Sequence, residues 1–454
     1  MYLLRKFILL LFFVVCNLLF YLYSNPKLNS KYLTLVLDKK SIEFSSQNIR
    51  LTSYSVPKYD VNCNALFKNN SEEILRAKYM LQEISNVKRP PDSDYIIEES
   101  KCENFKKARG YYRHGTYASD FPLAITILAH ESAEQLERLL RTLYQPQNIY
   151  CIHIDKKSDP NFHKAFESIS KCFDNVFIAT KTFDIIYTGH SRLEADFNCL
   201  KDLLTLDNLI NTVKHPNLIG KKVVDWKYAL NYVGTEFPTK TNSELVNILK
   251  MYNGANEIQV IENKFLHRYE YKWVEDYRRH KMKKTEEKNP PPPHGYILAK
   301  GFCSYAISRK FAEYAVFDPR ALSLMDWLKN TKSSNEFYWS TLEYNTQIYS
   351  DHGFIQNFKQ TKNTLVRYSA WSKAYNCTGK IRNGMCVFSI GDLSHVIKRR
   401  EFLINKFMID NDPISYQCME EWFDKNERTN STLDLDFYCN FARKKSNLVK
   451  CKNI

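Results

Sequence analysis

Ser333-Ser-Asn-Glu336 stands directly before the aromatic-rich run Phe337-Tyr-Trp-Ser-Thr-Leu342. A carboxylate held there could accept a proton from a hydroxyl while that hydroxyl's oxygen attacks a carbon centre, which is general-base work. The same S-x-x-E spacing is a capping box, in which Glu336 would close a helix amide. Spacing alone favours the cap. Transfer of a group from a nucleotide diphosphate needs a second feature as well, either a divalent metal on an Asp-x-Asp pair or fixed cationic side chains. Asp-x-Asp occurs at Asp92/Asp94, Asp410/Asp412 and Asp434/Asp436, but none ends a mid-chain strand, so turns and helix caps are the expected use. Cations gather toward the carboxyl end at Arg382, Lys398, Arg399, Arg400 and Lys406. Most members of such a set are solvated surface. His130, His153 and His190 lack metal-ligand spacing, and His153 alternates with apolar neighbours, which makes it structural. No G-x-S-x-G elbow, P-loop or G-x-G-x-x-G is present, and hydrolase and ATPase readings drop away.

The elements that must position these residues are legible as hydrophobic periods. Leu123–Ala129 and Ile149–Asp155 read as buried strands, with a helical period over Ala133–Tyr144 between them. A helix near Phe162–Ile169 leads to a third strand, Asn175–Thr180. This succession means a parallel, doubly wound sheet covered by helices. Ligands in such sheets sit beyond the carboxyl ends of the strands, so His130 and Asp155 are positional candidates. Ser191–Leu206 reads as a helix, Lys227–Val233 as a strand, and Asn242–Met251 as a helix capped by Asn242 or Ser243. Asn208–Val224 has no clear period and reads as an insertion loop. Lys281–Asn289 with the tetraproline Pro290–Pro293 reads as a surface connection into the strand-like Gly301–Ile307. The region from Asp120 to about Cys418 reads as one large α/β domain.

The amino terminus carries a different signal. Arg5 and Lys6 precede a run from Phe7 to Tyr23 whose only strongly polar residue is Asn17. As a helix this run spans roughly 26 Å, and without a small-x-small cleavage site it reads as an uncleaved membrane anchor. Residues 1–6 would be a cytoplasmic tail, 24–60 a lumenal stem and 61–454 a lumenal domain with its core over about 120–420. The sequence has 454 residues, 44% hydrophobic and 25% charged, with a net charge of +15. Such a surface attracts anions, but the basic residues are scattered and no nucleic-acid-binding signature appears. The 12 cysteines include no C-x-x-C, which points to a dispersed disulfide framework in an oxidising lumen. Cys16 lies in the anchor, so an odd number remains outside it and at least one thiol is free or intermolecular, which leaves a homodimer open. Sequons at Asn69, Asn376 and Asn430 agree with that location.

Several ordered stretches carry a family resemblance: Tyr150-Cys-Ile-His-Ile-Asp155, Cys172-Phe-Asp-Asn-Val-Phe177, Ser191-Arg-Leu-Glu-Ala-Asp-Phe-Asn-Cys-Leu-Lys-Asp202, Asp225-Trp-Lys-Tyr-Ala-Leu-Asn-Tyr-Val-Gly234, Phe237-Pro-Thr-Lys-Thr-Asn242, Gly391-Asp-Leu-Ser394 and Asn405-Lys-Phe407. Over about residues 60–420 the chain resembles the core 2 and I-branching β-1,6-N-acetylglucosaminyltransferases. The resemblance implies a type II Golgi membrane protein with a GT-A-like α/β domain that transfers GlcNAc from UDP-GlcNAc with inversion and without a metal or other cofactor. Carried over by position, Leu128, Ala129, His130, Asp155 and Tyr187 would contact the UDP-sugar, and Arg382 and Lys406 would take the place of the metal at the diphosphate. Glu336 matches the catalytic base, which reverses the preference for a cap, although the family's Ser-Pro-Asp-Glu reads Ser-Ser-Asn-Glu here. On the acceptor side Lys264 and Arg268 match only with a one-residue shift, Glu262 substitutes for an acidic contact near Gln259, and Tyr368 and Ala370 fall on two aromatic positions. The acceptor implied is the 6-hydroxyl of GalNAc in Galβ1-3GalNAc on glycoproteins. A related transferase with another donor or acceptor (β-1,6-glucosyl or peptide xylosyl), or an inactive lumenal glycan-binding protein, is the alternative. The resemblance also implies disulfides Cys63–Cys418, Cys102–Cys172, Cys151–Cys199 and Cys377–Cys386. Cys303, Cys439 and Cys451 remain with their pairing open; Cys439 and Cys451 could pair, with Cys303 then an inert buried thiol.

Overall fold

Three helices, α1 (Cys63–Phe67), α2 (Ser71–Ile84) and α3 (Cys102–Arg109), precede the first strand of a six-stranded sheet in this computed structural model. The structure describes residues 58–84, 89–112, 120–262, 265–345, 363–429 and 433–451. The expected tail, the membrane segment 7–23 and all but the end of the stem lie outside the described residues, as do Lys264, Asn430 and the Glu262 side chain. Among the described residues no helix is long and apolar enough to cross a membrane. Packing begins within the expected stem: the Tyr59 amide donates to Gln417 Oε1 at 2.7 Å.

Strand β1 (Leu123–Ala129) is apolar almost throughout because helices cover both faces of its sheet. Alternate side chains go to opposite layers. Ile125 and Ile127 are buried with α4 (Ala133–Leu143) and α5 (Pro160–Lys171), whereas Ala124 is buried with α6 (Ser191–Leu204). Around β1 lie β2 (Ile149–Ile154), β3 (Val176–Ile178) and β4 (Tyr228–Val233), all parallel in the order β3-β2-β1-β4. Beyond β4 the sheet turns antiparallel, through β11 (Tyr305–Ser308) to β6 (Glu257–Ile258) at the edge. The architecture is therefore mixed α/β with a largely parallel sheet.

A second, three-stranded sheet pairs β5 (Glu236–Pro238) and β12 (Arg367–Ser369) on either side of β15 (Leu403–Asn405). Its own core draws in Phe237, Ile404 and helix α13 (Pro413–Thr429), and Cys63–Cys418 ties this unit to α1. Gln135 on α4 joins the two sheets: its amide donates to Gly234 O at 2.8 Å and Phe407 O at 2.9 Å and accepts from Ile409 N at 2.9 Å. Arg138 and Arg141 of α4 both bond Glu420 of α13 in a buried cluster, where removing one partner typically costs ~3–5 kcal/mol. These contacts fix the ends of β1 and β4 against the segment that follows β15. Disulfides form at Cys63–Cys418, Cys102–Cys172, Cys151–Cys199, Cys377–Cys386 and Cys439–Cys451. Asn69 and Asn376 lie on the exposed surface.

Three sequence expectations are corrected. Asn208–Val224 is not a plain loop: it begins in a helix, Leu206–Asn211, and Leu218 is fully buried in a short 3-10 turn. Two apolar anchors spaced this widely leave no period to read. Lys281–Asn289 is not a connection but strand β9 (Lys281–Lys288), paired with β8 (Tyr271–Asp276). Both faces of this hairpin meet water, so its sequence lacks alternation, and the backbone ladder plus pairs such as Lys284 over the Tyr271 ring hold it. The cap of helix Asn242–Tyr252 is Thr241, in a reciprocal box with Glu244, while Asn242 bonds Asn148.

Candidate active site

The carboxyl ends of β1, β2 and β4 open on a cavity of about 440 Å³. Leu128, Ala129, His130 and Glu131 line it from the end of β1, Asp155 follows β2, and Val233 and Gly234 end β4. Asp155 is 4% exposed, its Oδ2 bonded to Lys157 Nζ at 2.6 Å and its Oδ1 to the amides of Lys157 and Ile185 at 3.2 and 3.4 Å. Tyr187 stands exposed at the rim. The buried histidines lie apart from the lining. His153 Nε2 accepts from Phe183 N at 3.0 Å, and burial pushes its imidazole down to about 4, so it is neutral. His190 faces Ser334 Oγ at 3.2 Å and is lowered in the same way.

Glu336 ends a single 3-10 turn, Ser334–Glu336, just before helix Tyr338–Tyr344. It is not the partner in a capping box: Ser333 has a left-handed backbone (φ 57°) and its side chain caps nothing. The Glu336 carboxylate instead projects into the cavity, where Oε2 accepts from Arg268 Nη1 at 2.7 Å and pairs with Lys300 Nζ at 2.9 Å. Burial pushes this carboxyl up, but Lys300 and Arg268 outweigh burial and hold it below the usual glutamate range. Gly301 makes the arrangement possible. Its amide donates to Glu336 O at 2.8 Å, and a Cβ there would collide with the Gln259 carbonyl and Ser340 Oγ.

At the other end the cavity is cationic. Arg382 closes β13 (Lys380–Arg382), whose hairpin partner β14 (Met385–Val387) is stapled to the preceding chain by Cys377–Cys386. Lys406 follows β15 and is 8% exposed. Arg192 and Arg367 complete the set. Arg367 is anchored by Glu236, a buried carboxylate that also accepts from Val233 N at 2.8 Å, so one acid ties β4, β12 and the Arg367 guanidinium together. Lys406 makes no ion pair among the described residues. Burial, followed by the nearby Arg382, Arg192 and Arg367, brings its ammonium down to about 8.

Not every sequence candidate reaches the cavity. Tyr368 points away from it, stacks near Phe388 and bonds His395, while Ala370 is buried. Strand β12 sends Arg367 and Ser369 into the cavity instead, and the aromatic ring that reaches it from this segment is Trp371. A strand of three residues offers too little alternation to set this register from sequence. Cys303 is not an inert buried thiol: it is partly exposed in the lining, with its Sγ 3.5 Å from Arg367 Nη2 and 3.7 Å from Arg192 Nη2. Lys300 was also missed, since a lone lysine after an apolar run carries no sequence signal. The Asp-x-Asp pairs serve turns and caps: Asp92 accepts from Ala133 N, Asp412 from Ser415 N and Asp434 from Phe437 N. Arg399 and Arg400 cover the Tyr368 and Phe437 rings, outside the lining.

Comparison with known proteins places this cavity in context. The Core-2/I-branching enzyme family matches residues 123–213 and 216–397, which include Glu336 and Arg382 and end before Lys406. Beta-1,3-galactosyl-O-glycosyl-glycoprotein beta-1,6-N-acetylglucosaminyltransferase 3 of Rattus norvegicus is 31% identical over 409 residues, covering 85% of this chain and 89% of the rat protein. The Homo sapiens protein of the same name is 31% identical over 411 residues, with the same shares covered. The corresponding transferase of Bovine herpesvirus 4 (strain LVR140) is 33% identical over 408 residues, 85% of this chain and 88% of its own. With the family matched over more than half its length and relatives aligned along nearly all of theirs, the chain belongs to the core-2/I-branching enzyme family.

Proposed function

We propose that this protein is an inverting β-1,6-N-acetylglucosaminyltransferase that moves GlcNAc from UDP-GlcNAc to the 6-hydroxyl of GalNAc in Galβ1-3GalNAc. The observation that carries the reading is one cavity with a carboxylate, Glu336, held by Arg268 and Lys300 at one end and the cations Arg382 and Lys406 at the other. The relatives' names supply donor sugar and linkage. A sugar hydroxyl is far too weak an acid to ionise beforehand, so Glu336 would take its proton while the oxygen attacks the anomeric carbon. Lys300 and Arg268 keep that carboxylate ionised, and the hydroxyl would replace one of them as its partner. As the bond to the diphosphate breaks, negative charge grows on the β-phosphate, where fixed cations lower the barrier without reorganising. Arg382 and Lys406 fill that role here, and no metal is needed in the scheme. Leu128, Ala129, His130, Asp155 and Tyr187 would hold the nucleotide, with Glu262, Lys264 and Arg268 toward the acceptor and Trp371 in place of Tyr368 as its aromatic contact.

The same reading makes residues 1–6 a cytoplasmic tail, 7–23 a type II Golgi membrane anchor and 24–60 a stem before the lumenal domain 61–454, glycosylated at Asn69, Asn376 and Asn430. The test is to offer UDP-GlcNAc, UDP-glucose and UDP-xylose with Galβ1-3GalNAc in EDTA and to determine the product linkage by NMR. GlcNAc in β-1,6 linkage is the expected product. Glucose or xylose transfer would replace the donor assignment, and transfer restored only by a divalent metal would remove the metal-free mechanism.

A further inference from the structure

Arg382 is not waiting unpaired. Its Nη1 lies 3.2 Å from Glu131 Oε1, and the same oxygen lies 3.3 Å from His130 Nε2. Glu131 comes two residues after β1, in the lining of the cavity and on the same side as Lys406. No fold requirement puts a carboxylate there: Ser132 caps helix α4, and Glu131 is 42% exposed. The acid therefore sits among the cations that would bind a diphosphate, where it weakens rather than strengthens the pull on an anion. Arg192, Arg367, Arg382 and Lys406 bring four positive charges, and Glu236 and Glu131 bring two negative ones, leaving two positive. A nucleotide diphosphate-sugar carries two negative charges, one on each phosphate. After transfer the freed terminal phosphate takes a further charge, because the second ionisation of a phosphate monoester lies at about pH 6. The intact donor balances the cluster and the product overfills it.

We propose that Glu131 discriminates product from donor: it occupies Arg382 in the empty site, and its charge disfavours the nucleoside diphosphate more than the nucleotide sugar, which hastens product release. This rests on the nucleotide-sugar reading above. His130 and Arg382 hold the Glu131 carboxyl at about 2, so it stays ionised at any working pH. Its charge also reaches Lys406, where it opposes the three arginines that depress that ammonium.

The test is titration of the full-length protein with UDP and with UDP-GlcNAc by calorimetry at low salt, comparing wild type, Glu131→Gln and Glu131→Asp. Glu131→Gln should tighten UDP by roughly three- to tenfold and UDP-GlcNAc less, by roughly two- to fivefold, as expected when one partly screened charge acts on three ligand charges rather than two. Glu131→Asp keeps the charge and should stay near wild type for both ligands. At pH 5.5, where UDP loses its extra charge, the advantage of UDP in Glu131→Gln should shrink toward that of the donor. Weaker UDP binding in Glu131→Gln would mean that the carboxylate only holds Arg382 in place, and equal tightening of both ligands would mean general neutralisation; either overturns the proposal. A wild type that binds neither nucleotide would instead overturn the nucleotide-sugar reading and this inference with it.

Discussion

The two ends of the cavity hold their charges in opposite ways. At the Glu336 end the acid is matched and exceeded: one carboxylate lies between Arg268 and Lys300, and both cations also lie over the Phe265 ring, at 5.2 and 4.9 Å. At the other end Lys406 has burial and three neighbouring guanidinium groups but no ion-pair partner among the described residues. Placing an ammonium there costs free energy in the empty protein, and an incoming anion recovers it. The first arrangement suits an uncharged hydroxyl, which has only to exchange hydrogen bonds. The second suits a diphosphate. The difference is the electrostatic support for the proposed acceptor and donor ends.

That contrast can be broken most severely at Glu336. Glu336→Gln keeps the size of the side chain and removes the base, and should lower transfer by about 10²- to 10⁴-fold while UDP affinity stays within about twofold, read by kinetics and calorimetry on one preparation. A fall in UDP affinity of the same size would erase the division into two ends. Next, Arg382→Ala or Lys406→Ala should each lower kcat by about 10²- to 10³-fold and also weaken UDP binding, leaving the Km for the disaccharide nearly unchanged. A smaller and reversible version of the same loss comes from pH. Because the Lys406 ammonium is depressed to about 8, it is charged below that pH and neutral above it, so UDP affinity should fall severalfold as pH rises from 7 to 9. In Lys406→Arg that dependence should vanish, since guanidinium does not titrate there.

The rim, where Trp371 bridges Met385 of the Arg382 hairpin, offers a weaker lever. Trp371→Ala removes a rim ring that is 45% exposed, and should raise the acceptor Km several-fold with little effect on UDP. The smallest expected effect is none at all: EDTA should leave initial rates unchanged. A loss on chelation would mean that the Arg382 end needs a cation beyond those the chain supplies.

How far the sequence reaches differs between sheet and site. Continuous apolar runs at Leu123–Ala129 and Ile149–Ile154, with a 3.6-residue period between them, require a buried parallel sheet whatever the rest of the chain does. The position of the cavity at the strand ends follows from that topology. Local spacing failed where an element was too short or too wet to carry a period. The exposed hairpin β8–β9 reads as a connection, and the three residues of β12 carry too little alternation to show that Arg367 and Ser369 face the cavity, where the family resemblance alone had offered Tyr368. Cys303 was misjudged for a related reason. Its neighbours Tyr305, Ala306 and Ile307 are buried, but the strand begins only at Tyr305, and the residues before it line the cavity.

By itself the sequence determined the layered α/β sheet, the strand ends as the place for chemistry and, through ordered motifs, the family. These are properties of local periods and of nearby residues, which the chain encodes in order. Only the tertiary structure decided whether Glu336 caps a helix or faces the cavity, because its partners Arg268 and Lys300 come from other segments of the chain. It also decided which cations gather at one end, since Arg192, Arg367, Arg382 and Lys406 meet only when β15 and the Cys377–Cys386 hairpin fold against α6 and β1. Charge acts through space, at distances of a few ångströms, and neighbours in space are what a linear sequence does not display.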